Sequence, residues 1–369
     1  VVGPYLKSRN IVFSVNSFGG TEKACSLLIR WIQDNTSISL LKVNTISLRY
    51  CKISILLGAW REFKIVTSFV VKFLRHLSPV IYFHSSARSS FRLLAIEVLC
   101  ILFRQRLILL TRSGKEDSEY YSSSAFNKLL IRLSFYMAST LVFQSEARRI
   151  AVESIIWPRH QQKRAIIPNW VDPLDLSSDS VVESKYYLDT RTAYIASNLL
   201  PHKNVAQSIS LFLSIRHLFS LDSCHIFGDG PRALSYKDLY REEIKSGLVV
   251  FHGHVCRNVI REFARSSILY ISLSSAEGLS NSLLEAMAAG CIPIVSSSVL
   301  VPSVSKPGIN CYLYDVNHSD EFESSVSTDD RSLLAMALDA KHSVEQVCGL
   351  DATVAQLMRE VFCNDSRTH

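Results

Sequence analysis

A chain of 369 residues that is 48% hydrophobic and 20% charged, with 13 glycines and 10 prolines, has the composition of a folded protein of about two domains. Disorder, collagen-like repeats and coiled coils are excluded. The formal net charge of +7 divides unevenly: residues 1–172 hold 24 Lys and Arg against 10 Asp and Glu, a net +14, and the remaining 16 against 23 leave −7. A basic half of this size points to an anionic partner, whether nucleic acid, a membrane surface or a phosphorylated ligand.

In chain order, the first half alternates short apolar runs with helical patterns. Ile11–Val15 is followed by Glu22–Gln33, then Val80–Phe83, Phe91–Phe103, Leu107–Thr111, Phe126–Met137, Leu141–Gln144 and Ala165–Ile167. The second half repeats the alternation with Thr192–Ala196, Asn204–Leu218, Ser223–Phe227, Val249–Phe251, Asn258–Arg265, Ile268–Ser272, Ser282–Ala289 and Ile292–Ser296. Strands spaced by helices of this length predict βαβ units and a parallel sheet in each half. The Ser/Asp-rich stretch Asp172–Asp189 reads as the hinge between them, and the charge asymmetry breaks there too. The predicted organisation is an N-terminal domain over 1–172, a linker over 173–190, a C-terminal domain over 191–350, and a final segment 351–369 whose helix returns to the N-terminal domain.

No repeat of 20–50 residues is visible, and no apolar run approaches the roughly 20 residues of a membrane-spanning helix. The polar start, Val1–Asn10, argues against a signal peptide. Nine cysteines, with no Cys-x-x-Cys pair and no close Cys/His cluster, predict reduced thiols in a cytoplasmic protein and neither a disulfide framework nor a zinc site. Two segments, Ala59–Leu77 and Phe91–Leu107, combine apolar faces with Arg and Lys at their margins. Such segments suit contact with anionic lipid, and equally suit core helices with snorkelling basic ends.

The most informative stretch is Ser274–Val295, SSAEGLSNSLLEAMAAGCIPIV, which follows the predicted strand Ile268–Ser272. Glu277 and Glu285 stand eight positions apart, the second inside a helix-forming run that ends at Gly290. A helix starting near Asn281 or Ser282 turns its N–H groups and positive dipole end toward the loop that carries Glu277 and Gly278. Two carboxylates flanking such an end can hold two hydroxyl-bearing parts of one ligand, with a diphosphate between them.

The same stretch closely resembles the C-terminal signature of the retaining glycosyltransferases of family 4, which have the GT-B fold. The resemblance implies two Rossmann-like domains facing each other across a cleft. It implies that Glu277 contacts the hydroxyls of the donor sugar, that Gly278, Leu279, Asn281, Ser282 and Leu283 line the sugar and phosphate site, and that Glu285 binds the ribose.

Four further patterns of the family occur in the right order. Gly19-Gly20-Thr21-Glu22-Lys23 follows the first strand as a family Gly-Gly-x-Glu loop does, and paired glycines let a backbone approach a diphosphate closely. Ile166-Ile167-Pro168-Asn169-Trp170-Val171-Asp172 resembles the segment that ends the N-terminal domain, with Trp170 in place of the usual Gly. Ala193–Val205 resembles the strand and loop in which Lys203 matches the cation on the donor diphosphate, while Asn198 stands where the family has Arg. His225–Pro231 matches a strand-end Gly-Asp-Gly-Pro, which places Gly228 and Gly230 at the wall of the nucleotide pocket. Ser113 occupies the place of a family His, which leaves His84, at the end of Val80–Phe83, as a candidate substrate contact.

The chain has no Asp-x-Asp, Gly-x-Ser-x-Gly or P-loop, so neither a metal-dependent transferase, a hydrolase nor an NTPase is indicated, and no metal or cofactor is expected. The resemblance therefore implies a metal-independent, retaining hexosyltransferase with Glu277, Lys203 and His84 as its reactive residues. Its donor is UDP- or GDP-linked, and its acceptor a glycan, lipid-linked in keeping with the basic half, as in bacterial surface polysaccharide, O-antigen or lipopolysaccharide synthesis. That places the protein in the cytoplasm, peripheral on the inner face of the membrane. A nucleotide-sugar epimerase of GT-B type and a non-catalytic GT-B scaffold are the alternatives; no aromatic-basic motif supports nucleic acid.

Overall fold

The computed structural model describes residues 10–15, 20–35, 39–44, 80–84, 90–111, 120–157, 159–275, 277, 279–301, 303–315 and 319–360. Gly19, Ser113, Gly278, Cys51, Cys363 and the segment Ala59–Leu77 lie outside the described residues, as do the side chains of Glu22, Lys23 and His84. The chain divides into two units, one of Val1–Trp170 with Asp351–His369 and the other of Val171–Leu350.

In the first unit, β1 (Asn10–Val15), α1 (Gly20–Asn35), β2 (Ser39–Asn44), β3 (Val80–His84), α2 (Ser90–Leu102), β4 (Leu107–Thr111), α3 (Ala125–Met137), β5 (Thr140–Phe143), α4 (Glu146–Glu153) and β6 (Lys163–Ile166) follow one another. The strands form a parallel sheet in the order β2-β1-β3-β4-β5-β6. α1 buries Ala24, Cys25, Leu27, Leu28, Trp31 and Ile32, the 3.6-residue stripe that docks a helix on a sheet. β4 is buried along its whole length, as expected of a parallel strand covered on both faces. β2 has no counterpart among the predicted strands: Ser39–Asn44 carries Lys42 and Asn44 in a six-residue run, and too little apolar sequence marks it.

The segment Pro168–Asp172 spans the boundary. Asn169 is buried and accepts from Gln144 Nε2 at 3.3 Å, while the Trp170 indole, also buried, donates to the Ala24 carbonyl at 3.0 Å. The large side chain at the usual glycine position is thus a packing element that ties the end of β6 to α1. On the same unit, Trp31 Nε1 donates to Asp351 Oδ1 at 2.7 Å, which fastens the C-terminal segment.

The second unit contains a 3₁₀ turn (Pro173–Asp175), α5 (Asp179–Ser184), a second 3₁₀ turn (Lys185–Tyr187), β7 (Thr192–Ala196), a third (Pro201–Lys203), α6 (Val205–Ile215), β8 (Ser223–Phe227), α7 (Ala233–Leu239), α8 (Arg241–Lys245) and β9 (Val249–Gly253). α9 (Arg257–Ser266), β10 (Leu269–Ser272), α10 (Asn281–Ala288), β11 (Ile292–Val295), β12 (Tyr312–Leu313), α11 (Ser319–Ser325) and α12 (Asp330–Cys348) complete it, and α13 (Leu350–Met358) leads away. The sheet is parallel, in the order β12-β11-β10-β7-β8-β9. Alternate strand residues enter two separate cores, Ala193, Ile195, Leu269 and Ile271 on one face and Tyr194, Tyr270 and Val295 on the other.

The Ser/Asp-rich stretch read from sequence as a hinge is largely helical and partly buried. Asp175, Val182, Lys185 and Tyr186 all point into the second unit. Lys185 is the reason: its ammonium donates to the carbonyls of Ala264 (2.9 Å), Ser267 (3.1 Å) and Ala289 (2.6 Å), the C-terminal ends of α9 and α10.

Among the described residues, Cys25, Cys100, Cys224, Cys291, Cys311 and Cys348 are buried free thiols and Cys256 is exposed. No helix among them is long and apolar enough to cross a membrane.

Candidate functional site

In a sheet ordered β12-β11-β10-β7-β8-β9, the chain winds outward in both directions from the neighbours β7 and β10. Open parallel sheets bind ligands beyond the carboxyl ends of the two strands at such a switch point. The segments leaving these two strands are Ser197–Asn204 and Leu273–Ser280, and they carry Asn198, Lys203, Glu277 and Leu279 of the residues singled out from the sequence.

Beyond β7, the 3₁₀ turn Pro201–Lys203 ends at Asn204, whose left-handed backbone (φ 49°) reverses the chain into α6. Asn204 Nδ2 donates to the Leu273 carbonyl at 2.9 Å, and the Ser275 N–H donates to the His202 carbonyl at 2.9 Å. These bonds stitch the two loops together. The result is a direct ion pair: Lys203 Nζ donates to Glu277 Oε1, with each side chain 17% exposed.

α10 begins at Asn281, within the predicted range. Its N-cap Ser280 accepts from the Leu283 N–H at 3.3 Å, and Ser282 Oγ lies 2.8 Å from the Tyr270 hydroxyl and 3.2 Å from Ser280 Oγ. Leu279 and Leu283 are buried in the core beneath. The amino end of the helix is therefore fixed by a hydroxyl cluster and a hydrophobic anchor, and its dipole faces the Glu277 loop.

Gly228 and Gly230 pack against the loop beyond β7. A Cβ on Gly228 (φ 134°) would lie 1.9 Å from the Ser197 carbonyl oxygen, and one on Gly230 would lie 2.8 Å from that of Leu199. The Ser197 N–H donates to the Phe227 carbonyl at 2.9 Å, and the Leu199 N–H to that of Asp229 at 3.0 Å. Asn198 lies between these bonds and is exposed. His225, from the same strand motif, turns elsewhere: its Nδ1 is 2.9 Å from His252 Nε2, and its ring packs on Phe263.

Glu285 projects from the second turn of α10 and pairs with Arg257 at 2.9 Å. Arg257 also pairs with Asp175, which receives Arg261 Nε at 2.7 Å, and Arg261 Nη2 reaches Asp172 at 3.3 Å. Burial pushes the Glu285 carboxyl up to about 7 and that of Asp175 up to about 6, against the pull of the guanidinium groups. Asp175, Tyr194, Arg257, Arg261, Ser282 and Glu285 line a narrow cavity. Arg257 and Asp175 went unmarked in the sequence; they are 82 positions apart and belong to no motif.

In the first unit, Gly20 is the first residue of α1 and His84 ends β3, opposite Thr111 of β4. These two belong to a separate unit from the Lys203–Glu277 pair.

Residues 181–328 match the family model described as Glycosyl transferases group 1. No curated protein matches the chain in sequence. Among solved structures, Alr3699/HepE of Anabaena in complex with UDP aligns with a TM-score of 0.70 at 16% identity, over 95% of this chain and 98% of that one. The sucrose-phosphate synthase of Thermosynechococcus elongatus aligns at 0.71 and 13%, over 96% and 99%. The lipopolysaccharide outer core galactosyltransferase WaaB, as the apo form, aligns at 0.62 and 16%, over 96% and 99%. The chain thus has the GT-B glycosyltransferase fold, and its second unit carries the match to Glycosyl transferases group 1.

Proposed function

We propose that this protein is a retaining glycosyltransferase of the family 4 type, which moves a sugar from a UDP- or GDP-linked donor to a hydroxyl of a glycan acceptor. The observation that carries the reading is the Lys203–Glu277 pair at the switch point of the second sheet, beside the amino end of α10.

In this reading the donor enters by separating the pair. The Glu277 carboxylate accepts from sugar hydroxyls, and the Lys203 ammonium moves to the diphosphate, so two charged groups that neutralise each other each acquire a ligand partner. Glu285 accepts from the ribose hydroxyls. Gly228 and Gly230 let the loop beyond β7 close against the strand-end turn that walls the nucleotide, and Asn198 offers an amide where the family carries Arg.

The acceptor hydroxyl attacks the anomeric carbon on the face from which the diphosphate departs. Its proton passes to the leaving phosphate oxygen as the old C–O bond breaks and the new one forms, through an oxocarbenium-like transition state. Charge growing on the diphosphate is met by Lys203 and by the dipole of α10, the part a divalent cation plays in metal-dependent transferases. His84 is assigned to the acceptor side.

A lipid-linked acceptor at an anionic membrane is supported by the +14 of residues 1–172 and by the end of α2, where Val98, Ile101, Leu102 and Phe103 are exposed beside Arg104. The shared fold of WaaB is in keeping with it. Sedimentation with anionic but not neutral liposomes is expected, and equal sedimentation with both counts against a membrane acceptor.

The reading is tested by a panel of nucleotide sugars with a membrane lipid extract as acceptor, followed by nucleoside diphosphate release. Acceptor-dependent release with one donor supports it. Isomerisation of a donor without acceptor identifies an epimerase, and no heat on titration with any nucleotide sugar identifies a scaffold.

A further inference from the structure

Two carboxylates compete for one guanidinium beside the proposed donor site. Arg257, the first residue of α9, turns the same Nη2 to Asp175 Oδ2 and, at 2.9 Å, to Glu285 Oε1. Arg261 holds the other oxygen of Asp175 at 2.7 Å and reaches Asp172 at 3.3 Å. Three acidic groups thus share two cations. Asp175 keeps only 4% of its side chain exposed and Glu285 keeps 29%, so of the two carboxylates that line the cavity Glu285 is the more accessible.

We propose that Arg257 is a positioning residue for Glu285 and that Asp175 is its competitor, so that affinity for the ribose hydroxyls of a nucleoside diphosphate follows how this guanidinium is divided between the two. The inference rests on reading Glu285 as the ribose carboxylate. With Arg257 drawn to Glu285, the carboxylate is ionised and can accept from two neighbouring hydroxyls. With Arg257 drawn to Asp175, Glu285 takes up a proton and loses acceptor capacity.

The charged groups facing Glu285 are Arg257 and Arg261 from α9 and Asp172 and Asp175 from the segment before α5. The Tyr194 hydroxyl of β7 faces it as well, and burial holds that phenol well above its ordinary range, hence neutral. Burial raises Glu285 most, Arg257 pulls it back, and Asp175 pushes it up again. Removing Arg257 and removing Asp175 should therefore move its titration in opposite directions, a signature that a purely structural role does not produce.

The test is calorimetric titration of UDP and GDP into the full chain from about pH 5.5 to 8.5. Wild-type affinity should fall as pH drops through about 7. Arg257→Gln should bind about tenfold more weakly at pH 7 with its midpoint shifted up, Arg257→Lys should recover part of the loss, and Asp175→Asn should shift the midpoint down. Unchanged affinity and midpoint in Arg257→Gln, or shifts of the same sign in the Gln and Asn variants, overturn the proposal. Should the Gln variant not fold, the Lys and Asn variants decide by the same opposition: the Lys midpoint moves up or stays, the Asn midpoint moves down. Glu285→Ala separates the two levels: binding like wild type defeats the ribose reading itself, while weakened binding in Glu285→Ala with none in Arg257→Gln defeats the Arg257 inference alone.

Discussion

Lys203 and Glu277 meet as an ion pair although they leave different strands, because Asn204 and Ser275 bind the two loops to each other behind the charges. The pair is half-sheltered, so each charge is held in position before any ligand arrives. Lys203→Ala should lower kcat for glycosyl transfer by about 100-fold, the order seen when one preorganised donor to a developing negative charge is removed. Steady-state kinetics on the preferred donor measure this; a change confined to KM would assign Lys203 to ground-state binding instead.

Gly228→Ala should break the same site from the nucleotide side. The new methyl would meet the Ser197 carbonyl at 1.9 Å on a backbone with φ 134°, so the loop beyond β7 must shift. A stability loss of about 3 kcal/mol or more is expected, together with loss of nucleotide binding. Chemical denaturation followed by calorimetry checks both, and a wild-type melting curve contradicts the close approach.

Lys185→Met tests the buried ammonium. Burial lowers the pKa of Lys185, yet its ammonium joins the carbonyls of Ala264, Ser267 and Ala289, and methionine leaves only the weak Cys291 thiol, 3.1 Å from the Ala264 carbonyl and 3.3 Å from that of Ser267, to serve the first two. The expected cost is about 3–5 kcal/mol, read as the denaturant midpoint of the second unit. A neutral effect would show that the ends of α9 and α10 are satisfied in another way.

Glu97 gives the first unit a pH dependence. It is buried on α2 near Ser134 of α3, and burial raises its pKa to about 8 against the opposing pull of the Ser134 hydroxyl. The protonated form is the one the folded state favours. Its contribution is therefore fully present below about pH 4.5, falls as pH rises, and is exhausted above about pH 8. Glu97→Gln should leave stability at pH 4.5 nearly unchanged and add several kcal/mol, on the order of 5, above pH 8. Parallel pH profiles for the two proteins would contradict this.

What the sequence reveals and what it hides follow from the range of the interactions. β4, β7 and β8 coincide with their predicted runs, most plainly β4, which is buried along its whole length and is a short apolar block in the chain. α10 starts at Asn281, one of the two starts read from the sequence, and its stop is legible through Gly290. Lys203 and Glu277 were singled out by resemblance, and their contact is visible only once β7 and β10 become neighbours. The Asp175–Arg257–Glu285 arrangement has no local pattern at all, and the buried Lys185 is masked by a Ser/Asp-rich setting that reads as solvent-exposed linker. Long-range polar contacts leave no periodicity in the chain, so they are the part that folding alone discloses.

The most direct test of the account is turnover with the preferred nucleotide sugar at saturating donor, comparing wild type with Glu277→Ala under conditions where both melt alike. Nucleoside diphosphate release should fall by about 100-fold or more in Glu277→Ala. Unchanged release in Glu277→Ala would contradict the placement of the donor sugar at the Lys203–Glu277 pair.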